Sequence, residues 1–202
     1  MDLLTKISDQ LDRIITRIAQ VAAWAGLALI AVTIFDVVTR RFLVLGSTKL
    51  QELEWHFHVV LFVFCLGFAY LKDSHVRIDL VRERLSERAR WWIELLGCLL
   101  FLIPYCILVV YFSYDFTLRS FGTDEISASA TGLTHRWIIK AAIPIGFSLL
   151  GLAGLAVVLR KVVELFGPPE LRQRVHEVEE AEVEHLDKVT LKTFDPDEGG
   201  PR

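Results

Sequence analysis

Gln51–Asp79 reads QELEWHFHVVLFVFCLGFAYLKDSHVRID. It opens with Glu52 and Glu54, runs through an apolar block to Leu71, and leaves through Lys72, His75, Arg77 and Asp79. A hydrocarbon layer is crossed by about 20 mostly apolar residues, and a lipid-exposed backbone must satisfy its own polar groups, so the block is predicted to be a transmembrane α-helix. Carboxylates stand at one edge of that helix and cations at the other.

Working outward, three further blocks have the same character. The spans are predicted at 18–38, 53–71, 91–114 and 137–159, and the chain as a whole is 53% hydrophobic with a mean hydropathy of +0.43. The fold class is therefore all-α integral membrane, with four transmembrane helices. The first block is expected to be retained rather than cleaved as a signal peptide, because it holds Asp36 and is followed by Arg40 and Arg41 instead of a small-residue cleavage site.

Lys and Arg near span ends set orientation, their excess lying on the cytoplasmic side. An even number of spans puts both termini and the middle loop on one side. That side carries Lys6, Arg13 and Arg17, then Lys72, Arg77, Arg82, Arg84, Arg88 and Arg90, then Arg160, Lys161, Arg172 and Arg174, thirteen against the five of Arg40, Arg41, Lys49, Arg119 and Arg136 opposite. Both termini are expected in the cytoplasm. The Arg40–Arg41 pair runs against the rule locally, and reads as a headgroup anchor or as a contact for a partner. Trp55, Trp91, Trp92 and Trp137 open spans, where indole rings favour the headgroup layer.

Residues 1–17 place Leu4, Ile7, Leu11 and Ile14 at spacings of three and four, continued by Ile18. This is one apolar face of a helix, expected either as an amphipathic helix lying at the membrane interface or as a solvated extension of the first span. Residues 18–166 form the transmembrane domain. After Gly167-Pro168-Pro169, a helix stop, residues 167–202 carry ten acidic against five basic residues and are expected to be a mobile, acidic cytoplasmic tail.

Ionisable groups inside spans are costly and mark function by default. Here they hug the ends. Asp36 can pair with Arg40 four residues on, Glu94 with Arg90 four residues back, and Lys140 lies one turn beyond Trp137. His56 and His58 point to nearly opposite faces, which argues against paired haem ligation, although a haem- or quinone-binding membrane anchor of a redox complex stays open as the alternative reading. Cys65, Cys98 and Cys106 form no CxxC and read as packing residues. No metalloprotease, nucleophile-elbow, P-loop or dinucleotide motif occurs, so no catalytic, cofactor or metal site and no nucleic-acid partner is expected, and the chain is not read as an enzyme.

The stretch from Gln51 to Gly97 resembles the small membrane subunit of tripartite ATP-independent periplasmic (TRAP) transporters. The similarity lies in Arg40 or Arg41 after the first span, Glu52 and Glu54 opening the second, Gly67 within it, and His75-Val76-Arg77-Ile78-Asp79 after it. A second stretch carries Glu125-x-Ser127, Trp137-x-x-Lys140 and Pro144. The resemblance covers about residues 10–165 and is nearest the subfamily labelled for mannitol or chloroaromatic compounds. One departure is Thr134-His135, where the family more often has Pro and Gly.

The resemblance implies a bacterial inner-membrane scaffold subunit of a sodium-coupled importer of small organic acids or related solutes. Its partners would be the large elevator subunit and a periplasmic solute-binding protein, besides the lipid bilayer. Arg40, Arg41, Glu52 and Glu54 are then expected either to fix the first loop or to meet the binding protein. His75, Arg77 and Asp79 are expected as a loop-ordering set at the cytoplasmic edge, with an ion relay as the other reading. Trp137 and Lys140 are further candidate contacts.

Overall fold

A computed structural model of the chain describes residues 1–43, 46–72, 85–173 and 175. Four helices carry the architecture: α1 (Asp2–Phe42), α2 (Thr48–Leu71), α3 (Glu87–Gly122) and α4 (Trp137–Phe166). Among the described residues there is no strand. Each predicted span lies inside one of these helices, and all four are long and apolar enough to cross a membrane.

The helix ends follow from local chemistry. Ser86 caps α3 by accepting from the Ala89 N–H at 3.4 Å, with Glu87 in the first turn where the dipole favours an acid. Arg40 and Arg41 sit in the last turn of α1, where cations are favoured. Within α3 a widened π-turn spans Cys98–Leu102, just before Pro104. A proline ring collides with the carbonyl four residues back and supplies no N–H, and a π-turn absorbs that mismatch without ending the helix. Gly167 ends α4 in an extended conformation, its N–H reaching the Val163 carbonyl at 2.7 Å.

α1 is one unbroken helix of 41 residues. The amphipathic segment 1–17 and the first span are continuous, because no proline occurs in the helix and its one glycine, Gly26, lies well inside the apolar run. At 1.5 Å per residue α1 is about 62 Å long, twice the roughly 30 Å of a hydrocarbon core.

α4 is the centre of the bundle. α1 and α2 pack on each other and on α4, and α3 packs on α4. In the most apolar window of α4, 44% of residues are buried, against 11–17% in the other three helices. The core is built of small side chains: Ala19 and Ala22 from α1, Val63 from α2, and Ala142, Ala153 and Ala156 from α4, with Ile15, Leu71, Leu149 and Leu150 filling between. Gly67 eases the approach where three helices meet, since a Cβ there would press on the Leu149 carbonyl oxygen at 3.1 Å and on Ile15 at 3.3 Å. Gly146 has the same role one layer away, against the backbone of Val63. Such close approach is how helices gain attraction in lipid, where packing replaces the hydrophobic effect. Large apolar side chains such as Trp24, Phe101, Tyr111 and Phe112 face outward, as expected of a surface that meets acyl chains.

Candidate functional site

The polar side chains gather at the two ends of the bundle. One end, here the far end, holds the α1–α2 and α3–α4 connections. The other, the terminal end, holds the N-terminal part of α1 and the C-terminal parts of α2 and α4.

At the far end Glu52 is the hub. Its position in the first turns of α2 points it at the α3–α4 loop, where Oε2 accepts from the Leu133 N–H at 2.6 Å and Oε1 accepts from the Ser127 hydroxyl. Ser127 also accepts from the Ser129 N–H at 3.1 Å, and its own N–H donates to the Leu133 carbonyl at 3.1 Å. Thr131 donates to Thr48 at 3.2 Å, a second tie between loop and α2. The loop can wrap so closely because residue 132 is glycine; a Cβ there would lie 2.8 Å from Glu52 Oε1 and collide with Ser127. His56 donates from Nδ1 to the Glu52 carbonyl at 2.5 Å, a bond within its own helix.

The same loop is closed at its base by Lys140, which pairs with Glu125 and stands 3.8 Å from the centroid of the Phe116 ring. That hydrogen bond to Lys140 holds the Glu125 carboxyl below the ordinary glutamate range. Trp137 packs edge-to-face on Phe121, with ring centroids 5.2 Å apart, and joins the two helix ends that flank the loop. His135 takes the left-handed conformation, φ 59°. Glycine takes this conformation freely, in keeping with the glycine that the resemblance leads one to expect here.

Arg40 and Glu54 belong to a separate groove between α1 and α2. Arg40 pairs with Asp36, as the i,i+4 spacing predicted, and Gln51 accepts from both its amino groups at 3.0 and 3.1 Å when its amide oxygen faces the guanidinium. Asp36 Oδ1 and Glu54 Oε1 are buried with no hydrogen-bond partner among the described residues, and Arg41 is exposed. Glu52 and Glu54, paired in the sequence reading, therefore serve different places.

The terminal end carries a cluster that sequence reasoning missed. Arg160 of α4 donates to Asp12 Oδ2 at 2.5 Å and to Ser8 at 3.1 Å; Ser8 donates to the Ala156 carbonyl at 3.0 Å. Lys72, at the end of α2, lies 3.5 Å from Asp12 Oδ1, and Thr16 donates to the same oxygen at 3.1 Å. Three helices are thus tied by charged and hydroxyl groups, of which Ser8, Asp12 and Arg160 are buried and Thr16 and Lys72 half-buried. Alongside, Lys161 stands 3.0 Å from Glu164 and 3.5 Å from Glu94, so Glu94 reaches across to α4, where the spacing had suggested Arg90 of its own helix. The buried face of α1 is Ser8, Asp12, Ile15, Ala19 and Ala22. It lies about a quarter turn from the predicted apolar face, of which Ile7 and Ile14 are exposed. The clue present in the sequence was this stripe of small and hydroxyl residues at helical spacing.

His75, Arg77 and Asp79 lie outside the described residues, as does the acidic tail beyond residue 175. Among the described residues no three His, Cys, Asp or Glu converge to hold a metal ion. The central stretches of the spans, 19–35, 59–71, 95–114 and 141–159, contain no ionisable carboxylate, histidine, lysine or arginine. The arrangement can fix helices and a loop.

No curated protein matches the chain. Residues 29–164 match the family model described as tripartite ATP-independent periplasmic transporters, DctQ component, a stretch that contains α2, α3, the far-end loop with its Glu52 hub, and nearly all of α4. The chain is a multi-pass membrane protein, and it belongs to the DctQ family, the small-component family of TRAP transporters, which is a family of transporter parts and not of enzymes.

Proposed function

We propose that this chain is the fixed scaffold subunit of a sodium-coupled TRAP transporter in the bacterial inner membrane, with both termini in the cytoplasm. Its place is beside the large elevator subunit, and the cargo is a small organic acid or related solute of the kind handled by the subfamily labelled mannitol or chloroaromatic. The observation that carries this reading is the distribution of charge: ionisable groups are engaged at the two ends, and the span centres hold none. A path for a carboxylate or a sodium ion needs polar groups or broken helices near the midplane, and these belong to another chain.

On this reading the far end faces the periplasm. Glu52, Trp137 and Lys140 hold the α3–α4 loop in shape, while Arg40, Arg41 and Glu54 line the groove that meets a partner. His75, Arg77 and Asp79 order the cytoplasmic loop. Reconstitution tests the assignment. Liposomes containing this chain alone should take up no solute, those with this chain, the large subunit and the binding protein should show sodium-dependent uptake, and omission of this chain should abolish it. Uptake by this chain alone, or a Soret band in the purified protein, overturns the scaffold reading.

A further inference from the structure

The terminal-end cluster forms the wall of an open groove of about 400 Å³ between α1, α2 and α4. Arg160 and Lys72 lie at its floor with Asp12 between them, and Arg13, Arg17 and Gln20 of α1 stand along its rim. With Asp9 as the remaining acid, the lining carries four cations and two carboxylates. Asp12 is already engaged by Arg160 and Lys72. Arg13 and Arg17 are exposed, four residues apart on one face, and neither pairs with a carboxylate among the described residues. Arg13 spends only its Nε, on the Asp9 carbonyl at 3.2 Å.

The level of the groove is set by three helices at once. The apolar run of α1 begins at Ile18, that of α2 ends at Leu71 and that of α4 ends at Leu159. Arg17, Lys72 and Arg160 are the next residues in each case, so the groove opens at the headgroup layer. Directly beyond Arg17, one and two turns along α1, Val21 and Trp24 are 72% and 71% exposed. A cationic groove that runs without interruption into an exposed apolar stripe matches a molecule with an anionic head and an acyl tail. Paired guanidinium groups suit phosphate oxygens in particular, and basic pockets between transmembrane helices are where acidic headgroups lodge.

We propose that this groove binds the phosphate of an anionic phospholipid, with Arg13 and Arg17 as the principal ligands, Gln20 as a further donor, and an acyl chain lying along Val21 and Trp24. The site does not depend on which side of the membrane the termini occupy.

Native mass spectrometry of the full-length chain in detergent, titrated with phosphatidylglycerol, phosphatidylcholine of the same acyl chains, or inorganic phosphate, tests it. Phosphatidylglycerol should bind one to one and well above phosphatidylcholine. R13Q/R17Q should weaken phosphatidylglycerol roughly thirtyfold, as two headgroup-level charges imply, and R13K/R17K should keep most of it. Q20E, which leaves both arginines in place, should also weaken it, and decides the matter should R13Q/R17Q fail to fold. Equal binding of the two lipids, undiminished binding by R13Q/R17Q or Q20E, or displacement of phosphatidylglycerol by millimolar inorganic phosphate would each overturn the proposal, the last by assigning the groove to a soluble anion.

Discussion

The two ends of the bundle use the same residue types to different effect. At the far end a carboxylate answers to backbone: Glu52 accepts from the Leu133 N–H and the Ser127 hydroxyl, and so shapes a loop. At the terminal end a carboxylate answers to side chains: Asp12 meets Arg160 and Lys72, and so joins three helices. Loop order and helix docking are separate tasks, and the chain assigns a different hub to each. Damage at one end should therefore stay there.

The largest effect is expected at the terminal end. Arg160→Ala leaves Asp12 and Ser8 buried without their main donor and should lower stability by about 3 kcal/mol, the low end for breaking a buried pair, because the adjoining groove admits solvent. The double change Asp12→Leu with Arg160→Met should cost less than Arg160→Ala, since the closest buried pair leaves together and only the more distant Lys72 loses a contact. Unfolding in detergent measures both, and a larger loss in the double variant would break the contrast.

Glu52→Gln comes next. It removes the charge from two hydrogen bonds, and charge-assisted bonds are roughly twice as strong as neutral ones. Amide exchange in residues 127–133 should quicken by about tenfold or more, while exchange in the core of α4 stays as it was. Equal acceleration at both ends would show that the loop and the helix docking are one unit.

A smaller effect follows from Glu125. Its carboxyl titrates below the ordinary glutamate value because Lys140 donates to it. The unfolded form binds the proton first, so the stabilisation is fully present above the ordinary glutamate pKa of about 4.3 and is lost as pH falls through the lower folded value. Loop exchange should rise on acidification in that window, and Lys140→Met should weaken the dependence, because Lys140 is the largest of the groups that lower the carboxyl. An unchanged acid profile in Lys140→Met would contradict the pairing.

The smallest effect concerns His135. A side chain at φ 59° costs about 1 kcal/mol, and glycine relieves this while losing roughly as much through its freer unfolded state. His135→Gly should shift Tm little, whereas His135→Val should lower it clearly, because a β-branched residue tolerates the left-handed region worst.

Comparison with the sequence shows where legibility stops. The four spans were legible because the membrane imposes a length on any apolar run. The Asp36–Arg40 pair was legible because four residues make one helical turn. The limit of the amphipathic segment at residue 17 was not a break in the helix, since the polarity of the sequence changes there while backbone geometry does not. The hubs were illegible for a different reason: Asp12 and Arg160 lie 148 residues apart, and Glu52 and Ser127 lie 75 apart, so no spacing announces them. Glu-x-Ser and Trp-x-x-Lys proved to be the linear trace of one knot, in which Lys140 holds Glu125 and Ser127 holds Glu52.

The unbroken α1 has a consequence for the membrane itself. Asp12 and Asp36 are each held by a cation and sit 24 residues apart on one continuous helix, a separation of about 36 Å. A hydrocarbon core is roughly 30 Å thick, so the two charges clear it with modest tilt. Neither latch can slide along the rod to suit a different bilayer. The chain thus carries a built-in gauge of membrane thickness, and thinner or thicker lipid must be met by leaning the whole bundle or by deforming the lipid around it.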